Sequence, residues 1–343
     1  MKKKLGAKIK KSRESLHLTQ DQVSQGTGLS SEFISLVEKG KRYPSLQSLE
    51  RISNYLNKKI SYFFEEELDP FKKIMNDKGI SKNAKSEFRS FKKYCDEYLH
   101  MEEVLKNSLK DAPHYSCPIP EVMAAEERKR LGLGTQPARN VFNLLEMNGL
   151  RILRKSIKKS LKIAGIFIYY KNREAGFALI NTNQSYARQI LTAAHEYCHY
   201  LKDREFISII DNTDIFVDEY LPLYPFREKF AYLFSLYFLI SEDQVNSFIR
   251  KEFHKKDKKI ENIIMLKRYL EMPMEIVLKV LLRMRHISSS EYNEYRKLEY
   301  LEYEKSLFGY IKAEASPYKK RAKIIPSDRY KTLAVQTYKD QNL

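Results

Sequence analysis

The chain has 343 residues, of which 43% are hydrophobic and 31% are charged, and its formal net charge is +18. This length favours two domains over one, and the composition excludes a chain that is mainly disordered. The positive charge favours an anionic partner, with nucleic acid before an anionic membrane surface, although a lysine-rich host composition gives the same charge.

Cysteine spacing and apolar runs indicate the compartment. The three cysteines form no CxxC pair, which argues against a disulfide framework and fits a reducing environment. The basic start, MKKKLGAKIKKSRESL, lacks the apolar run of a signal peptide. The longest apolar stretch, FAYLFSLYFLI at 230–240, is too short to cross a bilayer. We therefore expect a soluble, cytoplasmic protein with no membrane partner.

Residues 1–68 predict four short helices with tight, glycine-marked turns. The segments are LGAKIKKSRESL, TQDQVSQGTG, SSEFISLVEKG and SLQSLERISNYLN, with apolar residues at spacings of three and four. Thr19 is a good cap for the second segment, and Ser30 or Ser31 for the third. Two short helices joined by a few residues that include glycine describe a helix-turn-helix, whose second helix enters the major groove of DNA.

The segment LTQDQVSQGTGLSSEFISLVEKGKRYPSLQSLERISNYL closely resembles the lambda-repressor-like XRE family. The resemblance implies that the start of the third helix faces base edges and that cations after this helix contact phosphates. The residues concerned are Gln20, Ser30, Ser31, Glu32 and Ser35 for the bases, and Lys41 and Arg42 for the phosphates. The implied partner is double-stranded DNA with a two-fold operator, for which a homodimer is the matching oligomer. The alternative is a four-helix bundle used for protein contact.

Residues 69–115 predict a helical linker. They are rich in Lys, Glu and aromatic residues, with weak helical periodicity at Phe88, Phe91, Tyr94, Tyr98 and Met101. A spacer between domains and a dimerisation helix both fit this pattern. A two-fold operator would favour the dimerisation helix, because a symmetric dimer matches its two half-sites.

A different composition begins near residue 116. AAEERKRLGLGTQPARNVFNLLEMNGLRILR predicts two helices separated by a glycine-marked turn, then a strand after Gly149. LKIAGIFIYY and GFALINT are rich in β-branched and aromatic residues and predict two further strands. The GLG at 132–134 is not a phosphate loop, because no GK[ST] follows it. A small sheet therefore precedes the segment LTAAHEYCHYLKD at 191–203.

This segment contains two histidines, His195 and His199, with Glu196 directly after the first. Residues i and i+4 of a helix share one face, so both imidazoles can point to one metal ion. Glu196 leaves the helix beside the first ligand, where it can reach a water molecule at the metal and act as general base. This is the HExxH pattern of zinc metallopeptidases, and a chance match in an ordinary helix is the alternative.

A catalytic zinc ion needs a third protein ligand and an open position. Glu205 lies six residues after His199, where short-spacer metalloproteases place that ligand, but Lys202 replaces the glycine that turns their chain. Glu228 opens a strongly apolar helix, from which a carboxylate would project from a rigid element. The residues themselves leave both candidates open.

The segment from 116 to about 250 resembles the ImmA/IrrE family of zinc metallopeptidases. INTNQSYARQILTAAHEYCH resembles the strand, loop, arginine and active-site helix of that family, and EKFAYLFSLYFLIS matches its second metal helix. The resemblance implies that His195, His199 and Glu228 bind Zn²⁺ and that Glu196 is the catalytic base.

Three positions depart from the family pattern without removing a ligand. Cys198 stands for a glycine, Tyr232 for an asparagine and Ser241 for a proline. We expect Tyr232 to tighten the pocket and alter metal affinity or access, and Cys198 to be a small buried filler.

Residues 251–343 predict a helical, basic region. LKRYLEMPMEIVLKVLLRMRHI resembles the helical tail that covers the peptidase core of the same family. The end, SPYKKRAKIIPSDRYKTLAVQTYK, fits either a solvated tail with short helices or an auxiliary nucleic-acid contact.

The predicted fold is mainly α with a small β-sheet. It has an all-α helix-turn-helix domain at 1–68, a linker at 69–115, an α+β zincin-like metallopeptidase core at 116–250 and a helical region at 251–343. The resemblances imply a DNA-binding transcriptional regulator with a zinc-dependent endopeptidase domain. In the resembled family the peptidase usually cleaves an XRE repressor and releases genes for stress response or mobile-element transfer; here it would cleave such a protein or couple a signal to promoter binding. The alternative is a repressor or antitoxin-like factor whose metal site is sensory or structural, without proteolysis.

Overall fold

A computed structural model describes residues 2–16, 18–64, 69–77, 80–205, 208–212, 225–252, 260–309 and 324–341. The chain forms two compact units. One comprises Met1–Asp69, Asp96–Ser108 and Thr332–Leu343, and the other comprises Pro70–Cys95 and Leu109–Lys331. Within the described ranges, no helix combines the length and the apolar character needed to cross a bilayer.

The first unit begins with five helices. They are α1 (Lys2–Ser15), α2 (Gln20–Thr27), α3 (Ser31–Glu38), α4 (Leu46–Tyr55) and α5 (Ile60–Phe64). Their apolar faces form one small core that contains Leu5, Ile9, Val23, Ile34, Val37, Leu49, Ile52, Leu56 and Phe63. The first four helices correspond to the four predicted segments, because caps and apolar spacing are both readable in short helices.

The turn between α2 and α3 is fixed by local hydrogen bonds. Thr19 and Gln22 form a reciprocal capping box at the start of α2. Gly28 ends α2 in the left-handed conformation, with φ 67°, which a residue with a side chain rarely adopts. Ser30 then caps α3 by accepting a hydrogen bond from the backbone N–H of Phe33.

The predicted linker contains α6 (Pro70–Asn76) and a long helix, α7 (Lys82–Val104). The aromatic residues that gave the weak periodicity, such as Phe88, Phe91 and Tyr98, are buried. Because this apolar face is covered within the chain, a dimerisation role for α7 would have to use its polar face.

The remaining elements include the strands of a small sheet. They are α8 (Pro120–Arg130), α9 (Val141–Met147), β1 (Leu150–Lys155), β2 (Ile163–Tyr170), β3 (Ala175–Asn181), α10 (Tyr186–Lys202), β4 (Ser208–Asn212), α11 (Phe226–Leu239), α12 (Glu242–Glu252), α13 (Ile260–Leu270), α14 (Met274–Arg283), α15 (Ser289–Tyr295), α16 (Tyr300–Phe308), β5 (Ile324–Pro326) and α17 (Asp328–Gln341). The predicted class, mainly α with a small β-sheet, is confirmed.

In the part of the chain that the structure describes, the sheet has five strands in the order β4-β2-β3-β1-β5. β1 and β3 are parallel, and the other neighbouring pairs are antiparallel. The strand predicted after Gly149 is present as β1, and the two predicted from β-branched and aromatic runs are present as β2 and β3. β5 lies in the region that was expected to be helical. It was not predicted, because a strand of three residues is too short to show an alternating pattern. Residues 316–323 of the predicted basic tail lie outside the described residues.

α10 is the central helix of the second unit. It packs against β2 and β3 on one side and against α11 on another. Every residue from Gln189 to Leu201 is buried, so the HExxH segment lies in the core of this unit. Cys198 is fully buried, as expected of a filler, and this burial raises the pKa of its thiol well above the usual value.

A buried arginine fixes the end of α11. Arg128 on α8 donates hydrogen bonds to the carbonyl oxygens of Phe238 (2.7 Å) and Gly134 (2.9 Å). Burial lowers the pKa of this guanidinium to about 10, which leaves it charged at neutral pH. Arg128 therefore joins α8, the loop after it and the carboxyl end of α11.

Candidate functional sites

α10 brings the two histidines to one point. Ser185 caps the helix by accepting a hydrogen bond from the backbone N–H of Arg188 (3.3 Å). The regular helix then places His195 and His199 on one face, with their Nε2 atoms 3.0 Å apart. Both imidazoles are fully buried.

Glu228 on α11 meets the two histidines. Its Oε2 lies 3.2 Å from Nε2 of His195 and 3.3 Å from Nε2 of His199. Its Oε1 accepts a hydrogen bond from Nε of Arg227 (3.0 Å). Three donor atoms thus converge, and together they form a buried cluster that could hold a metal ion.

The charge state of Glu228 suits a metal ligand. Burial raises the pKa of its carboxyl, but hydrogen bonds with His195 and His199 and their charges outweigh burial and hold that pKa well below its usual value. Glu228 also lies in the first turn of α11, where the helix dipole favours a negative charge. The carboxylate is therefore ionised at neutral pH, as coordination requires.

Asp203 fixes the orientation of the His199 ring. Its Oδ2 lies 2.7 Å from Nδ1 of His199, on the side of the ring opposite the cluster. A carboxylate in this position holds the proton on Nδ1 and leaves the lone pair of Nε2 facing the cluster, where a metal ion could bind. Asp203 was not predicted from the sequence, although its spacing of four residues after His199 was a usable signal.

Glu196 lies beside the cluster and against β2. A Cβ atom added to Gly165 would lie 1.8 Å from Oε1 of Glu196 and 2.6 Å from Cγ2 of Thr192. Only glycine therefore lets β2 pass this close to the carboxylate. Gly165 was also missed, because an isolated glycine within a strand pattern does not show which side chain it faces.

The other candidate third ligand, Glu205, lies elsewhere. Its exposed carboxylate is 3.9 Å from Nε2 of His114 and does not belong to the buried cluster. Between the two acids that the sequence left open, the structure brings Glu228 to the histidines.

Tyr232, which departs from the family pattern, is fully buried one turn after Glu228. Its hydroxyl accepts a hydrogen bond from Nζ of Lys279 on α14 (3.2 Å). A large aromatic residue therefore fills the space beside the face of α11 that carries Glu228.

In the first unit, a buried ion pair joins α1 to α3. Arg13 donates from Nε to Oε1 of Glu38 (2.7 Å) and from Nη2 to Oε2 (3.0 Å). The hydrogen bond with Glu38 raises the pKa of Arg13 further, so the pair remains ionised. Gln20 donates from its amide to Oε2 of the same carboxylate (2.7 Å).

The predicted DNA-contacting residues form a group around the start of α3. Ser30 and Glu32 are exposed, and Ser31 and Ser35 are partly exposed. Ser31 donates its hydroxyl hydrogen to Asp21 on α2. These contacts with DNA stay predictions.

The two predicted phosphate contacts follow α3. Lys41 and Arg42 are both exposed. The guanidinium of Arg42 lies over the ring of Phe33, with Cζ 4.9 Å from the centroid, which limits the orientations of this cation.

Two stretches of the chain match known families. Residues 9–63 match the helix-turn-helix family, and residues 149–282 match the IrrE N-terminal-like domain. A curated relative, the ImmF control region 10 kDa protein of Bacillus phage phi105, is 40% identical over 55 residues, or 16% of this chain. The chain spans 61% of the length of that relative.

The two matches confirm both resemblances found in the sequence. The first covers α2 and α3 with their caps, and the second covers the sheet from β1 to β4 and the two helices that bear the donor atoms. The chain therefore contains an XRE-type helix-turn-helix domain, followed by an IrrE N-terminal-like metallopeptidase-family domain that holds the buried cluster of His195, His199 and Glu228.

Proposed function

We propose that this protein is a DNA-binding transcriptional regulator whose second domain is a zinc-dependent endopeptidase. The observation that carries the proposal is the convergence of His195, His199 and Glu228, with Glu196 next to them. The helix-turn-helix domain supplies the link to operator DNA.

The donor set supports zinc as the metal. Two imidazole nitrogens and one carboxylate oxygen are a common catalytic zinc set. Zn–N and Zn–O bonds of about 2.0–2.1 Å around a tetrahedral ion imply donor separations of about 3.3 Å. The separations here are 3.0, 3.2 and 3.3 Å.

The chemistry would be hydrolysis of a peptide bond. When bound, a zinc ion would polarise the scissile carbonyl and lower the pKa of a water molecule beside it. Glu196 would take a proton from the attacking water as the C–O bond forms and pass it to the leaving amine as the C–N bond breaks. Gly165 and Asp203 act through other residues, by positioning the Glu196 carboxylate and the His199 ring.

We further propose that the substrate is a repressor-type protein. Support comes from the helix-turn-helix domain in the same chain, which would bring the peptidase to operators where repressors bind. The phage relative is named for a control region, which agrees with a regulatory role. An extended substrate segment could pair with the outer edge of β4, since among the described strands β4 lies at the edge beside β2.

A second candidate function is that of a regulator whose metal site senses a signal or stabilises the fold and does not cleave peptides. The burial of the site favours this reading, because His195, Glu196 and His199 are fully buried and Glu228 is only 7% exposed. An acid in the position of Glu196 favours the peptidase, since a purely structural site needs no base.

Metal content and cleavage together test the proposal. We would purify the full chain and His195→Ala, Glu228→Ala and Glu196→Gln variants, then measure zinc per chain by mass spectrometry. We expect about one zinc in the native protein and in Glu196→Gln, and much less in the other two. Glu205→Gln is the matched control, because this exposed carboxylate lies outside the cluster.

The same proteins would be incubated with a proteome-derived peptide library, and new amino termini would be counted. The peptidase account expects new termini from the native chain and from Glu205→Gln, and none from Glu196→Gln. Equal zinc in all variants would contradict the metal site. Zinc binding without cleavage by the native chain would favour the sensory or structural role.

A further inference from the structure

Five predicted DNA-contacting side chains lie at or near the start of α3, and hydrogen bonds within the protein already engage several of them. Ser30 uses its hydroxyl oxygen as the cap of α3, accepting from the backbone N–H of Phe33 (3.1 Å). Ser31 donates its hydroxyl hydrogen to Asp21. A base contact by Ser31 would first have to break this bond between α2 and α3.

Two further side chains near α3 are engaged as well. The amide of Gln20 donates to Glu38, whose carboxylate also pairs with Arg13 inside the first unit. The ring of Phe33 lies under the guanidinium of Arg42. Both side chains therefore have a structural role before any DNA is bound.

Of the predicted base-contacting residues, Glu32 and Ser35 remain to be considered. They are three residues apart and share one face of α3. Glu32 is exposed, and within the described residues no hydrogen bond or ion pair engages its carboxylate. Its position is fixed by the capped first turn, so it projects from a rigid element at the end of the helix that would enter the major groove.

We propose that Glu32 is the main base-reading residue of this domain and that it selects cytosine. This inference rests on the proposed DNA-binding function and names the base class that it reads. A carboxylate only accepts hydrogen bonds, and the N4 amino group of cytosine is a donor in the major groove.

The same carboxylate disfavours the other bases. Adenine also offers an amino group, but its N7 acceptor lies beside it and repels a carboxylate. Guanine presents two acceptors and thymine presents an acceptor and a methyl group. One C·G pair per half-site is therefore expected opposite Glu32, and a single exchange of that pair is expected to weaken binding by about 5- to 150-fold.

Selection of binding sites from a random duplex library tests this assignment. The full chain, Glu32→Gln and Glu50→Gln would each be used to enrich sites, which are then sequenced. Glu50 is a matched control, because it is an exposed glutamate on α4 of the same unit, and its change to glutamine removes the same charge.

We expect the native chain and Glu50→Gln to select one motif with an invariant cytosine. Glu32→Gln is expected to replace that cytosine by adenine, which glutamine reads through N6 and N7, and to leave the rest of the motif unchanged. An identical motif for Glu32→Gln and the native chain would overturn the assignment while leaving DNA binding intact. If the native chain enriches no motif and binds no duplex at low salt, the proposed DNA-binding function itself fails.

Discussion

Replacing Gly165 with alanine tests how the chain positions the candidate base. The added Cβ would lie 1.8 Å from Oε1 of Glu196, 2.9 Å from its Cδ and 2.6 Å from Cγ2 of Thr192. Ordinary contact begins near 3.4 Å. The carboxylate must therefore retreat by roughly 1.5 Å, or β2 must move away from α10.

Both responses have a measurable cost. Overpacking of this kind destabilises a core by about 1–3 kcal/mol. Misplacing a catalytic group by about 1 Å can reduce a rate about 100-fold. We therefore expect Gly165→Ala to retain zinc, to unfold at lower urea concentration and to lose most peptide cleavage.

A double-variant cycle connects the stability cost to Glu196. In a Glu196→Ala background the carboxylate is gone, so the cost of Gly165→Ala is expected to be smaller, with a coupling of about 0.5–3 kcal/mol. Gly176→Ala is the matched control, because its Cβ would lie 2.5 Å from Cδ2 of Tyr200. The cost of Gly176→Ala should not depend on residue 196. If Gly165→Ala costs the same in both backgrounds, the proposed contact with Glu196 is wrong.

Three other changes have expected outcomes. Asp203→Asn should weaken zinc binding by about 10- to 100-fold, because the His199 ring loses its carboxylate partner. Competition with a chromophoric chelator measures this affinity, and an unchanged affinity would contradict the role of Asp203. Glu38→Gln removes the charge partner of Arg13 and should lower the free energy of unfolding of the helix-turn-helix domain by about 3 kcal/mol. This is the lower end of the range for a buried ion pair, because the Arg13 side chain keeps 10% exposure. Amide hydrogen exchange in α1 and α3 measures this loss. Removal of zinc by a chelator should lower the Tm of the native chain but not of His195→Ala, and an equal decrease in both would count against this cluster.

The sequence predicted the elements that have a strong local signal. Caps such as Thr19 and Ser30, and glycines such as Gly28, mark the helix-turn-helix without any long-range information. β2 and β3 were readable because fully buried strands form continuous apolar runs, and β1 was predicted as the segment that follows Gly149. β4 and β5 were not predicted, since each is short and is stabilised by pairing with a strand distant in sequence.

The candidate metal site was predictable in part for the same reason. His195, Glu196 and His199 lie within one helix, where spacing determines which side chains share a face. Glu228 lies on another helix, and it was favoured over Glu205 by the lysine in place of a turning glycine at position 202 and by the family resemblance. The role of Gly165 depends on how closely β2 approaches α10, which is a property of tertiary packing that no local pattern encodes.

The most direct test of the central claim is X-ray absorption at the zinc edge on the zinc-loaded full chain. The account predicts a shell of nitrogen and oxygen ligands near 2.0–2.1 Å, with the multiple scattering of two imidazoles. His199→Ala should remove one imidazole contribution. A sulfur shell at about 2.3 Å, or a spectrum that does not change in His199→Ala, would show that the metal binds elsewhere.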